Sequence, residues 1–260
     1  MSYEHVIYEK KGRIAYVTLN RPEVMNAMNT KMHFELREIW EDFRDDDDVW
    51  IAILSGAGER AFATGNDLKE SAARDEKARN AERPPFAGMT SQFECSKPII
   101  AAVHGYCVAG GFETALACDL IIAADNTIFS LPEVKVGLVA GAGGLHRLAR
   151  TAPLKATMGL VLTGKRIDAA EAYRLGVVNE VVPVEQLMET AERWANEILE
   201  CAPLAVRLTK EAVLRGLQLE VEDAIARDVV EVKPKIRASQ DYLEGPRAFA
   251  EKRKPVWTGR

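Results

Sequence analysis

The chain alternates strand-like and helix-like segments, and this alternation limits the folds open to it more than any other feature. Runs rich in β-branched residues occur at 14–19 (IAYVTL), 50–55 (WIAILS), 99–103 (IIAAV) and 120–123 (LIIA), with helical patterns between them. Strand, crossover helix, strand is the pattern of βαβ units, so the reading is an α/β fold around a mainly parallel, buried sheet. The clearest helix is KMHFELREIWEDFRDD. Asn29 or Thr30 is placed to cap its start, and Phe34, Ile39, Trp40 and Phe43 fall on or near one face. The acidic run at 45–48 then follows or caps an exposed helix end. From about Asp168 the strand signal weakens, and DAAEAYRLG, VEQLMETAERWANEILE, PLAVRLTKEAVLRGL and VEDAIARDVVEV all read as helices. Gly176 closes one of them and Pro203 opens another. The expected organisation is an α/β core over 1–195 followed by a helical region over 196–260. Residues 72–88 are charged and then proline-rich, which predicts a helix running into a mobile surface loop.

With 260 residues, of which 47% are hydrophobic, the chain can bury a core without disulfide or metal staples. A formal charge of −5 suggests neither nucleic acid nor an anionic membrane as partner. Cys95, Cys107, Cys118 and Cys201 have no CxxC spacing, three of them lie in apolar stretches, and they are expected as buried free thiols in a reducing compartment. Residues 1–22 carry charges throughout and lack the apolar core of a signal peptide. No window approaches the ~20 uninterrupted apolar residues of a membrane span. The expected location is the cytoplasm.

Two glutamates carry the chemistry: Glu113 in VAGGFETALACD and Glu133 in SLPEVKVG. They are too far apart for one helix face, so a helix, a strand and a loop must return the second to the first. A water held between two carboxylates can give a proton to one and take direction from the other. Glu113 lies one turn into an otherwise apolar helix, where a carboxylate is costly without a partner or a purpose. The competing reading is a glutamate favoured by the helix dipole, and for Glu133 an ion pair with Lys135 or Arg147.

In ERAFATGNDLKE, Gly65 follows a strand-like AFA and precedes a helix start, a turn that frees the Asn66 N–H. The alternative is a plain strand-to-helix turn with Asp67 near the helix start. In HGYCVAGGFETALACD, the small residues Ala109, Gly110 and Gly111 let a ligand's carbonyl approach the backbone, and Gly110 is the second N–H donor to a developing oxyanion. Close packing of the helix on the sheet would use the same glycines. The glycines of GLVAGAGGLHRLAR (Gly141, Gly143, Gly144) do not make a dinucleotide fingerprint and read as a tight turn lining a pocket. His146 and His104 lack triad partners and read as structural. No metal-ligand spacing is present.

Together these segments resemble the crotonase (enoyl-CoA hydratase/isomerase) superfamily. The likeness runs in order through LNRPEVMNAMN, FATGNDLKE, KPIIAAVHGYCVAGGFETALACDLIIAADNTIFSLPEVKVGLVAGAGGLHRL, LTGKRIDAAEAYRLGVVNEVVP and AFAEKRKPVW, nearly end to end. It implies a crotonase-like spiral of ββα turns with a C-terminal helical trimerisation region, assembled as a homotrimer or a dimer of trimers. It also implies that Asn66 and Gly110 are the oxyanion-hole donors and that Glu113 and Glu133 are the acid/base pair. Because both acids are present, the resemblance points to a hydratase or dehydratase of acyl-CoA in fatty acid metabolism. CoA is then part of the substrate, with no separate cofactor and no metal.

By the same resemblance, CoA lies near the backbone of Val24, Met25 and Ala27. Thr64, Asp67, Lys69, Gly111 and Gly141 are further substrate or CoA contacts, and Phe249 and Lys252 come from the C-terminal helices. The departures are Ala109 where a third glycine is common, Asn66 where a small or apolar residue is usual, and Ala140 where proline often stands. Within the superfamily, FAGMT, the Phe112–Glu113 doublet and the ending EGPRAFAEKRKPVWTGR look similar to the carnitinyl-CoA dehydratases. A trimethylammonium group would want aromatic faces or an acid, and Phe86, Phe93 and Glu94 lie in the fitting loop. The competing functions are an isomerase or hydrolase using one glutamate, and a non-enzymatic scaffold binding CoA esters or RNA. The net charge and the paired acids argue against the scaffold.

Overall fold

A computed structural model describes residues 3–73, 75, 83–91 and 94–260. Strand β1 (Val6–Lys11) turns at Gly12 into β2 (Ile14–Leu19), and the two pair antiparallel. All further pairings in this sheet are parallel: β2 with β3 (Ile51–Gly56), β3 with β5 (Ile99–Val103), β5 with β7 (Leu120–Ala124), and β7 with β10 (Glu180–Val182). A second, smaller sheet has the order β4 (Ala61–Ala63), β6 (Tyr106–Val108), β8 (Ile128–Ser130), β9 (Ile167–Asp168). The chain therefore winds as a spiral. β3, β5 and β7 each belong to the large sheet, and the strand that follows each of them, β4, β6 and β8, crosses to the small one.

Alternation along the strands explains why the runs are apolar on both faces. Ala52 and Leu54 of β3 point into the interior with Trp40, Phe43, Phe62, Phe112 and Phe129. Ile51 and Ile53 point the other way, onto Leu187, Ala191 and Ala195 of a C-terminal helix. The interior is closed by α1 (Thr30–Asp45), whose start is capped by Asn29, its side chain accepting from the Met32 N–H. Its buried face carries Met32, His33, Glu35, Leu36, Ile39, Trp40 and Phe43. Phe34, expected on that face, is only half-buried, because the face is set by the 3.6-residue period running from Met32 through Phe43.

After α2 (Leu68–Ala73), α3 (Gly110–Ala117), α4 (Gly144–Thr151) and α5 (Leu154–Thr163), the chain becomes helical as expected. The later helices are α6 (Ala169–Arg174), α7 (Leu187–Leu199), α8 (Pro203–Gly216), α9 (Val221–Glu231), α10 (Lys233–Arg237) and α11 (Gln240–Glu251). Gly176 follows α6 in the left-handed region at φ 77°, and Pro203 opens α8. One strand, β10, sits inside this stretch, contrary to the expectation that strands fade after Asp168. It is only three residues long, yet it completes the edge of the large sheet. The four cysteines are free thiols, but only Cys107 is buried as expected; Cys95 and Cys118 are half-buried, and Cys201, just past the end of α7, is exposed. Phe93, and residues 74 and 76–82 of the expected loop, lie outside the described residues.

Candidate active site

The turns that end β4 and β6 face each other. Met28 N–H donates to the Gly65 carbonyl at 2.8 Å, and Asp67 N–H donates to the Met28 carbonyl at 2.9 Å. In a parallel bridge of this kind the residue between those two groups turns its own N–H to the opposite side, and Asn66 lines a cavity of about 680 Å³. Its side chain is occupied elsewhere, donating to Ser71 Oγ at 2.6 Å. Across from it, Ala109 adopts φ 52°, ψ −133°, and α3 begins at Gly110, whose N–H belongs to the first helical turn and so has no acceptor within the helix. A Cβ on Gly65 would stand 2.8 Å from the Gly110 nitrogen, so the two turns are in contact and the glycine permits it. A Cβ on Gly110 would meet the Phe86 ring at 2.4 Å, which places that ring against the backbone as a cavity wall. Gly111 does not line the cavity. Its absent side chain would strike the Ala63 carbonyl oxygen at 2.2 Å, so it serves the packing of α3 on β4.

Glu113, one turn into α3, is 4% exposed and lines the same cavity. Its Oε1 accepts from Ala142 N–H at 2.8 Å and Gly144 N–H at 2.9 Å, at the start of α4. A Cβ on Gly144 would lie 2.7 Å from Glu113 Cγ, so this glycine makes the approach possible. Burial pushes the Glu113 carboxyl above its ordinary range, while the two N–H groups and Arg147 pull against that. Glu133 opens a 3-10 turn (Glu133–Val136) after Pro132 and reaches the cavity from the other side. Its Oε2 is buried with no hydrogen-bond partner. Burial raises its pKa as well, and the Glu113 charge raises it further, so the two carboxyls sense each other. Neither Lys135 nor Arg147 pairs with Glu133. Arg147 instead donates to the backbone carbonyls of Ala142 and Thr90.

The other expected residues divide into those at the cavity and those beside it. Thr64 and Gly141 line it. Thr64 Oγ1 donates to the Met25 carbonyl at 3.2 Å, which sets the loop of Val24, Met25 and Ala27 next to the Asn66 turn. Asp67 is not on the wall; it accepts from Arg21 Nη1 at 3.0 Å, and the same guanidinium holds the Ala27 carbonyl at 2.6 Å. Lys69 is exposed on α2. Phe249 is 87% exposed and Lys252 ends α11 at φ 55°; neither lines this cavity. Glu94 is exposed and also away from the wall. His146 is exposed and His104 is buried at the end of β5, both off the cavity.

Sequence reasoning missed His33. It lies on the buried face of α1, where its Nδ1 accepts from Ala87 N–H at 3.1 Å and its ring sits 4.5 Å from that of Phe86. A histidine among the apolar positions of an amphipathic helix was the available signal. Among the described residues, no group of three or more His, Cys, Asp or Glu side chains is placed to hold a metal ion. Likewise, among them no helix is long and apolar enough to cross a membrane.

A family model described as Enoyl-CoA hydratase/isomerase matches residues 9–260. The chain belongs to this family. Among its relatives is a carnitinyl-CoA dehydratase of Citrobacter koseri, 43% identical over 262 residues and covering 99% of each chain. A carnitinyl-CoA dehydratase of Escherichia coli K12 is 44% identical over 256 residues, 96% of this chain and 97% of its own. The fold is likewise that of solved enoyl-CoA hydratases. The enzyme from Mycobacterium tuberculosis H37Rv superposes with a TM-score of 0.91 at 38% identity, covering 98% of this chain and 99% of that one. One from Mycobacterium marinum gives 0.92 at 38% identity with the same coverage.

Proposed function

We propose that the chain is an enoyl-CoA hydratase/dehydratase that adds water across the α,β double bond of an acyl-CoA thioester, or removes it. The observation that carries the reading is the meeting of a buried carboxylate, Glu113, and a half-buried one, Glu133, with the backbone at Asn66 and Gly110 in one cavity. The thioester oxygen would accept from the Asn66 and Gly110 N–H groups, which withdraws electron density from the Cα=Cβ bond and stabilises the enolate as it forms. Glu113, held by two N–H groups, directs the water to Cβ, and Glu133 exchanges the proton at Cα. Dehydration runs through the same groups in reverse. Burial raises the Glu133 pKa and the Glu113 charge raises it further, which suits a division in which Glu133 carries the proton.

The CoA moiety would lie along the Val24–Ala27 loop, beside Thr64 and Lys69. For the acyl group, the carnitinyl type named for the relatives is the first candidate, with the Phe86 ring as the face on which an ammonium would rest. The assembly would be a homotrimer or dimer of trimers in the cytoplasm, formed through the helical region 196–260. The exposed apolar side chains of Leu217, Val221, Ile225 and Val230 support that, as does the absence of Phe249 and Lys252 from their own chain's cavity. No cofactor besides the substrate's own CoA enters the scheme.

The test is turnover on a panel of short, branched, aromatic and betainyl enoyl-CoAs read by mass spectrometry, with Glu113→Gln and Glu133→Gln beside the wild type. Each variant is expected to lose roughly 10²-fold or more of hydration while still binding CoA esters. Near wild-type turnover in either rejects the paired-acid assignment, and a shifted double bond or free CoA as sole product favours an isomerase or hydrolase.

A further inference from the structure

Arg147 stands one turn into α4, behind the cavity wall, and ties together two segments that line the cavity. Its Nη2 donates to the Thr90 carbonyl at 2.8 Å, on the segment that carries Phe86. Its Nη1 donates to the Ala142 carbonyl at 3.2 Å. That carbonyl belongs to the peptide between Ala142 and Gly143, and the peptides on either side of it supply the two N–H groups that hold Glu113. The guanidinium fits only because residue 143 is glycine: a Cβ there would lie 2.3 Å from Nη1, and the backbone is at φ 93°. Gly143 and Gly144 thus have separate tasks, one making room for Arg147 and the other for Glu113. Among the described residues Arg147 has no ion pair with a carboxylate, although it is half-buried; its side-chain hydrogen bonds go to backbone carbonyls.

We propose that Arg147 is a positioning residue: it locks the 142–144 turn that aims the Glu113 carboxylate and fastens that turn to the acyl-side wall at Thr90. The inference rests on the reading of Glu113 as one of the two acid/base groups. A locked turn keeps both N–H donors on one carboxylate oxygen and leaves the other oxygen for water. The positive charge nearby also favours the ionised carboxylate. Loss of the guanidinium therefore has two separable effects. The aim of Glu113 loosens, which lowers kcat more than it raises KM. The carboxylate also protonates more readily, which moves the acid limb of the kcat/KM profile to higher pH.

The experiment is crotonyl-CoA hydration over about pH 5 to 9 for wild type, R147Q, R147K and E113Q, with R147M as a second neutral variant should R147Q not accumulate as folded protein. The neutral variants are expected to lose on the order of 10–100-fold in kcat, with KM little changed and the acid limb displaced upward. R147K keeps the charge but not the fork, so its kcat falls while its acid limb stays with the wild type. A neutral variant whose acid limb superimposes on the wild type overturns the inference, whatever its rate, and so does an R147K acid limb displaced as far as that of R147Q. E113Q keeps the two failures apart. Full turnover in E113Q removes the acid/base reading itself, whereas an inactive E113Q beside an unmoved R147Q profile removes the latch alone.

Discussion

Ala109 holds φ 52° and ψ −133° immediately before the helix that carries Gly110 and Glu113. An L-residue in such a region is strained by roughly 1–3 kcal/mol, and only the surrounding contacts keep it there. Ala109→Gly removes the strain while giving back part of it as unfolded-chain entropy. The expected outcome is a Tm higher by roughly 2–4 °C per kcal/mol gained, with kcat/KM close to wild type; a lower Tm by calorimetry would sink the strain argument. Glu113 offers a second residue-scale prediction. Its folded-state pKa is raised, so the native protein holds a proton that the unfolded chain sheds, and stability falls as pH rises from the ordinary 4.5 through the raised value. Glu113→Gln keeps an oxygen for the Ala142 and Gly144 donors and removes the buried charge. It is expected to be more stable than wild type at pH 7 and to lose that advantage below the ordinary carboxyl range, as read from urea midpoints at the two pH values. The residue scale is also where the sequence was least legible. Glu113, Glu133 and Gly110 could be singled out because their types are unusual where they stand. Arg147 could only be guessed as an ion-pair partner, since nothing in one sequence shows that a guanidinium will choose two backbone carbonyls.

At the scale of elements, α4 holds Glu113 through its first residue and the turn that leads into it. Ala142 and Gly144 present N–H groups to Glu113, and Gly144 has no room for a side chain because a Cβ would sit 2.7 Å from Glu113 Cγ. Gly144→Ala must therefore push either the helix start or the carboxylate away by a few tenths of an ångström. A loss of roughly tenfold or more in kcat, with near-native circular dichroism, is the expected result; a fully active Gly144→Ala would show that the contact between α4 and Glu113 has slack. Legibility at this scale followed length. The six-residue β2, the five-residue β5 and the sixteen-residue α1 with its Asn29 cap all formed where the pattern placed them. β6, β8, β9 and β10 are two or three residues each, too short for any periodicity to register, and they exist because neighbouring strands supply their hydrogen bonds. The small sheet, and with it the spiral, was visible only through resemblance.

Over the whole molecule, one buried lysine joins the spiral to the C-terminal helices. Lys97 Nζ donates to the carbonyls of Phe43 at 2.6 Å and Asp46 at 2.5 Å, closing the end of α1. Lys210 of α8 donates in turn to the Lys97 carbonyl at 2.8 Å and to Asp119 at 2.7 Å. Burial, with Arg207 nearby, pushes the Lys97 pKa down to about 8 from its ordinary 10.5. Between those two values the unfolded chain keeps a proton that the native protein has released, so the Lys97 contribution to stability rises with pH across that window and is at its most unfavourable below it. Lys97→Met removes this dependence. The wild type is expected to gain on the variant in urea midpoint between pH 7.5 and 9.5, about the span of the window, and parallel curves would contradict the assignment. The spiral also has a consequence in time. Asn66 follows β4, Gly110 follows β6, Glu133 follows β8, and the donors to Glu113 come only with α4. On the proposed reading, each winding of the chain thus delivers one component of the site. A polypeptide emerging from the ribosome should then carry no half-competent site until residue 144 is out. During synthesis it should leave passing thioesters untouched, and any truncation before α4 should yield an inert fragment rather than a weak enzyme.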